Sequence, residues 1–125
     1  MANYRYYMMG LLLFMFLSAG YAWAKQVEQI EVMSITMEEL DWFKADSACS
    51  EVGSGWELPT ITQLVGLFYF NSDTSWNRST DYWSNTRISD RGFGLNTRLG
   101  ILSFDVLRDQ DHFICVRDKY LLSSR

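Results

Sequence analysis

Apolar and polar positions alternate loosely through QVEQIEVMS, residues 26–34, where Val27, Ile30, Val32 and the following Ile35 can share one side. That spacing predicts a first strand. The period then lengthens. Leu40, Phe43 and Ala48, with Trp42, Ala45 and Cys49 beside them, recur at helical intervals and predict a helix from about Met37 to Cys49. Thr36 and Glu39 have capping-box spacing, and Ile35 and Leu40 stand where a hydrophobic staple would. Glu38, Glu39 and Asp41 would suit the positive end of that helix. Gly53 and Gly55 follow its end, where the chain must turn. The same device then repeats in GSGWELPTITQLVGLF, residues 53–68. Thr60 and Gln63 form a second capping box, and Pro59 bars any helix from entering earlier. Ile61, Leu64, Val65, Leu67 and Phe68 give the apolar face of a second helix running to about Tyr69.

After Phe70 the character changes. NSDTSWNRSTD, residues 71–81, is polar and turn-forming, with Trp76 embedded in it. Four short β-like segments follow, DYWSNTR, GFGLNTR, ILSFDV and HFICVRD, separated by turn formers. Two helices followed by a small antiparallel meander make the class α+β.

The N-terminus reads as a leader. Arg5 is the only charge before Lys25, residues 8–17 are an apolar run, and Ala22 and Ala24 form an Ala-x-Ala site. The run is too short for a permanent span, which needs about 20 residues. We therefore expect residues 1–24 to be a signal peptide and 25–125 to be one exported domain, with no stable membrane insertion after cleavage. Without Arg5, ten basic side chains face fifteen acidic ones, a net of −5. That balance argues against nucleic acid or an anionic membrane as partner. The charge is uneven, since residues 25–77 hold two basic and nine acidic groups and residues 78–125 hold eight and six. An arginine-bearing half could present a local positive face.

In an oxidising compartment Cys49 and Cys115 read as a disulfide. Neither has metal-type spacing, and His112 is the sole histidine available to join them. Closing a loop of 66 residues would remove unfolded-state entropy worth about 4 kcal/mol in the chain-entropy model.

Taken in order, the first helix, Cys49, the Trp56-Glu57-Leu58-Pro59-Thr60 start of the second helix with Leu64 and Leu67, then Tyr82-Trp83-Ser84, a glycine-bearing meander and the closing Cys115-Val116-Arg117 resemble bacterial C-type-lectin-like domains. The pattern is similar to the C-terminal domain family of the legionella collagen-like adhesin and to the lectin-like tips of intimin and invasin adhesins. It spans roughly residues 36–118. The resemblance implies a lectin-like fold, structural-bridge roles for both cysteines, core roles for Trp56 and Trp83, and recognition or adhesion at a cell surface. It also departs from calcium-dependent sugar lectins: Pro59 is the only proline, and Trp83-Ser84-Asn85 replaces the Trp-Asn-Asp of those sites. Related enzymes that form formylglycine use paired active-site cysteines, which this chain does not offer.

No catalytic constellation stands out. His112, in the polar run DQDHF, reads as exposed, and Asp109, Asp111, Asp73 and Asp81 read as solvated turn residues rather than a cation site. We expect no metal and no cofactor. Asn77-Arg78-Ser79 fits the glycosylation sequon and marks a surface loop. Trp76, Asn77 and Arg78 are the candidate ligand contacts, because Trp and Arg are over-represented at binding hot spots. The expected function is an exported module that binds a protein or glycan, a variant being an exoprotein partnered by an intimin-like outer-membrane translocator. A periplasmic enzyme or a structural envelope protein of the same fold is the alternative.

Overall fold

Among the described residues, two helices and two small antiparallel sheets meet around a bridge between Cys49 and Cys115. The computed structural model describes residues 20, 22–23, 29–33, 38–71, 75–76 and 80–119. In chain order the elements are β1 (Ile30–Val32), α1 (Trp42–Val52), α2 (Ile61–Phe70), β2 (Asp81–Ile88), β3 (Arg91–Asn96), β4 (Ile101–Val106) and β5 (Val116–Asp118). One sheet has the order β2-β3-β4, and the other pairs β1 with β5.

The first helix starts later than its spacing predicts. Leu40 exchanges both backbone hydrogen bonds with Asp111, each 3.0 Å, so residue 40 is held extended against a distant segment. Asp41 then becomes the N-cap and accepts from the Lys44 N–H at 2.9 Å. Of the expected capping box, Thr36 lies outside the described residues, and Glu39 precedes the helix. The helix also runs on to Val52, three residues beyond Cys49. Its buried stripe is Trp42, Ala45 and Cys49, whereas Phe43, expected on the core side, is 51% exposed. The second helix behaves as its sequence predicts. The Thr60 hydroxyl accepts from the Gln63 N–H, and the Gln63 side chain accepts from the Thr60 N–H.

The meander has three strands, not four. Residues 112–115 are buried but enter no ladder with β4, and the last strand crosses to pair with β1, Val32 opposite Val116. The alternation that made HFICVRD look like a meander strand has another cause. Phe113 and Cys115 point into one core cluster with Trp42, Ala45, Cys49, Leu58, Trp83 and Leu107; Ile114 and Val116 point into a second with Leu64, Leu67, Tyr82 and Leu95. Tyr82 and Trp83 split between the same two clusters, so β2 and the 113–116 segment are each apolar on both faces. The expected strand 26–34 is seen as Ile30–Val32, with residues 26–28 and 34 outside the described set.

Two indoles lock these layers. Trp42 Nε1–H donates to the Ser84 carbonyl and Trp83 Nε1–H to the Leu40 carbonyl, each at 2.9 Å. Buried indoles thus meet backbone acceptors on neighbouring elements. Trp56, expected in the core, is only partly buried and lies under the Arg117 guanidinium, which is itself ion-paired with Glu31.

Candidate functional site

The chain between α2 and β2 was the expected binding region, and its described part shows how it is anchored. Trp76 packs edge-on against Phe68 of α2, ring centroids 5.7 Å apart, and against Tyr82 of β2 at 4.9 Å. The ring is partly buried, and its Nε1–H is buried without an acceptor among the described residues. This is the geometry of a loop anchor with one donor unspent. Asn77, Arg78 and Asp73 lie outside the described residues.

Behind Tyr82 sits His112, which is 4% exposed rather than the solvated turn residue its neighbours suggested. The cause is backbone pairing: His112 N–H donates to the Asp81 carbonyl, and its own carbonyl accepts from the Trp83 N–H. Its Nδ1 lies 3.2 Å from the Thr80 hydroxyl and 3.4 Å from a Glu39 carboxylate oxygen.

The same pairing overturns the reading of Asp81 and Asp111 as separate solvated acids. Asp81, Asp105 and Asp111 converge, with carboxylate oxygens within 4.8 Å of one another. Asp111 is pushed up to about 8, first by burial, then by its contact with Asp105 and by the charges of Asp105, Asp81 and Asp109. Asp81 is also raised, by burial and then by Asp105, against the lowering effect of the amide of Asn96, which donates to it at 2.7 Å. As a carboxylate, Asp111 leaves a buried Oδ2 without a donor. As the neutral acid it can donate to Asp105, so a shared proton relieves both the charge and the orphaned oxygen. Three hard oxygens at this spacing could equally accept a cation. Asp105 was missed in the sequence because only the folded domain brings the three carboxylates together.

Cys49 and Cys115 are joined, Cα atoms 5.3 Å apart, and neither is available as a nucleophile or ligand. With the helices, the two sheets and this bridge in place, the architecture can be compared. A botrocetin structure matches with a TM-score of 0.56 and 14% identity, over 73% of this chain and 92% of that one. A chain from the complex of rhodocetin with the integrin α2 A domain matches at 0.53 and 12%, over 72% and 92%. A chain from the complex of a von Willebrand factor A1 domain mutant with botrocetin matches at 0.53 and 10%, over 73% and 92%. The fold is C-type-lectin-like. No protein-family model matches the sequence, and no curated protein matches it.

A lectin-like domain of this kind presents a distinctive surface. On β4 and the turn before it, Leu99, Ile101, Leu102 and Phe104 are 66, 56, 54 and 49% exposed. Among the described residues β4 pairs only with β3, so it is an edge strand. No helix among the described residues is long and apolar enough to cross a membrane.

Proposed function

We propose that the chain is an exported recognition module that binds a protein or glycan at a cell surface and has no catalytic role. The observation that carries this reading is the exposed apolar run Leu99–Phe104, set on a domain whose two cores are already filled. Contiguous apolar surface of this kind marks interaction sites. Botrocetin and rhodocetin, which share the fold, are found in complexes with a von Willebrand factor A1 domain and an integrin α2 A domain, and support protein as the partner class. The enzyme alternative loses its obvious groups: both cysteines are bridged and the sole histidine is buried against Thr80 and Glu39. The bridge fits an oxidising compartment, which supports export, with residues 1–24 as signal peptide. We further propose a bacterial adhesin-like role with an outer-membrane translocator as partner, resting on the sequence resemblance to intimin-type tips.

Trp76, Asn77 and Arg78 remain the proposed contacts of the loop. Arg78→Ala and Asn77→Ala should each weaken capture on arrays of surface proteins and glycans without moving the thermal midpoint. Unchanged capture by both variants would remove the loop from the binding surface.

A further inference from the structure

Resting on the binding-module reading, a second site can be named from its chemistry. At the far end of the sheet, the β2–β3 hairpin tip and the turn after β4 enclose a cleft of about 510 Å³ lined by Phe43, Arg87, Asp90, Val106, Leu107 and Arg108. Its floor is apolar and its rim is cationic. The Arg87 guanidinium lies over two rings, 4.8 Å from the Trp42 centroid and 5.3 Å from that of Phe43. Arg91, on the other face of the hairpin, has its guanidinium 5.7 Å from the Phe104 ring centroid. Among the described residues Arg87, Arg91 and Arg108 are exposed and make no ion pair. A guanidinium held against aromatic rings still has N–H groups to offer a carboxylate. Asp90 offsets only one of the two lining arginines. The acidic chain therefore carries one local cationic end, and it surrounds an apolar floor. Ser89, also in the lining, is the one non-glycine among the described residues with positive φ, 55°. The two-residue turn it shares with Asp90 closes the hairpin with Ile88 opposite Arg91 and Arg87 opposite Gly92.

We propose that this cleft docks an acidic segment of a protein partner, with a Glu or Asp carboxylate between Arg87 and Arg108 and an adjacent apolar side chain against Phe43, Val106 and Leu107. Charge complementarity selects the acid, and the floor selects the aliphatic or aromatic neighbour. A polyanionic glycan would meet the arginines but bring hydroxyls to an apolar floor and repeated charge to Asp90.

The test uses the full disulfide-bonded chain and three probes: a capped peptide alternating Glu with Leu and Phe, the same peptide with Gln for Glu, and dextran sulfate. Side-chain Nε–Hε resonances of Arg87 and Arg108 should shift with the Glu peptide. Binding should fall about tenfold for the Gln peptide and for Arg87→Gln/Arg108→Gln, the loss expected for one charge-assisted contact. Arg87→Lys, which keeps the charge, and Arg108→Gln alone, which disturbs no ring contact, separate recognition from folding; Arg108→Gln should weaken binding at an unchanged thermal midpoint. Equal binding of the Glu and Gln peptides, or resonance shifts produced by dextran sulfate alone, would overturn the proposal. If the double variant keeps full capture of whatever partner the protein and glycan arrays reveal, the cleft is wrong and the binding module stands. If no array partner binds the native chain, the broader reading fails instead.

Discussion

A Cβ added at Gly94 would lie 2.1 Å from the Tyr82 carbonyl oxygen, a backbone atom that cannot rotate away. Gly94 faces Trp83 in the β2–β3 register, where β2 is irregular between Trp83 and Arg87, and the close approach lets Tyr82 and Trp83 reach their separate cores. Gly94→Ala should therefore destabilise by at least the ~1–3 kcal/mol of ordinary overpacking, measured by denaturant unfolding. Asp111 gives a pH signature. Its folded pKa, about 8, stands above the ordinary carboxyl value of 3.8, so between those pH values the folded state holds a proton that the unfolded state has released. Stability from this group is full below pH 4 and is lost as pH rises toward 8. Asp111→Asn, which can still donate to Asp105, should raise the melting temperature at pH 8 and not at pH 4. A variant that melts lower at pH 8 would mean that the carboxylate is wanted there, as a cation ligand would be. The sequence did not reveal this cluster, because no local spacing relates Asp81, Asp105 and Asp111 and they come together only in the folded domain.

At the scale of elements, the legible parts were those whose signals are local. The second helix was readable to within a residue, since Thr60, Gln63 and Pro59 act within one turn of each other. The first helix was misplaced at its start, because a distant strand-like segment claims Leu40 and leaves capping to Asp41. Asp41→Ala and Thr60→Ala should each cost about 1 kcal/mol in unfolding free energy, the typical worth of an N-cap. By contrast, Glu39→Gln should leave helix α1 intact, since that side chain precedes the helix and faces His112. The meander misreading has the same origin as the helix error. Alternation in HFICV reports burial between two clusters, and period alone cannot distinguish that from a sheet strand. The arginine cleft was legible only as a charge imbalance toward residues 78–125; β2 supplies Arg87 near the hairpin tip, and the turn after β4 supplies Arg108.

For the whole molecule, the bridge ties the end of α1 to the segment that feeds β5, and both half-cystines are fully buried. Its removal by Cys49→Ala/Cys115→Ala should cost about 2–5 kcal/mol, a large share of the stability of a domain this small. Trp23, just inside the expected leader, rests against Phe70 and donates to the Thr62 carbonyl at 3.1 Å. Cleavage after Ala24 would uncover that side of α2, which also carries the exposed Tyr69 and Phe70. Among the described residues the organisation is that of a scaffold: two filled cores, sealed cysteines and a buried histidine, with distinctive chemistry at an edge strand, an anchored loop, a carboxylate cluster and an arginine-rimmed cleft. The most direct test of that account is binding of the oxidised chain 25–125, the proposed mature form, to arrayed surface proteins and glycans, beside a reduced and alkylated control. Saturable binding of the oxidised form, lost on reduction, is the predicted result. Absence of saturable binding to any arrayed molecule, or catalytic turnover by the native chain, would contradict it.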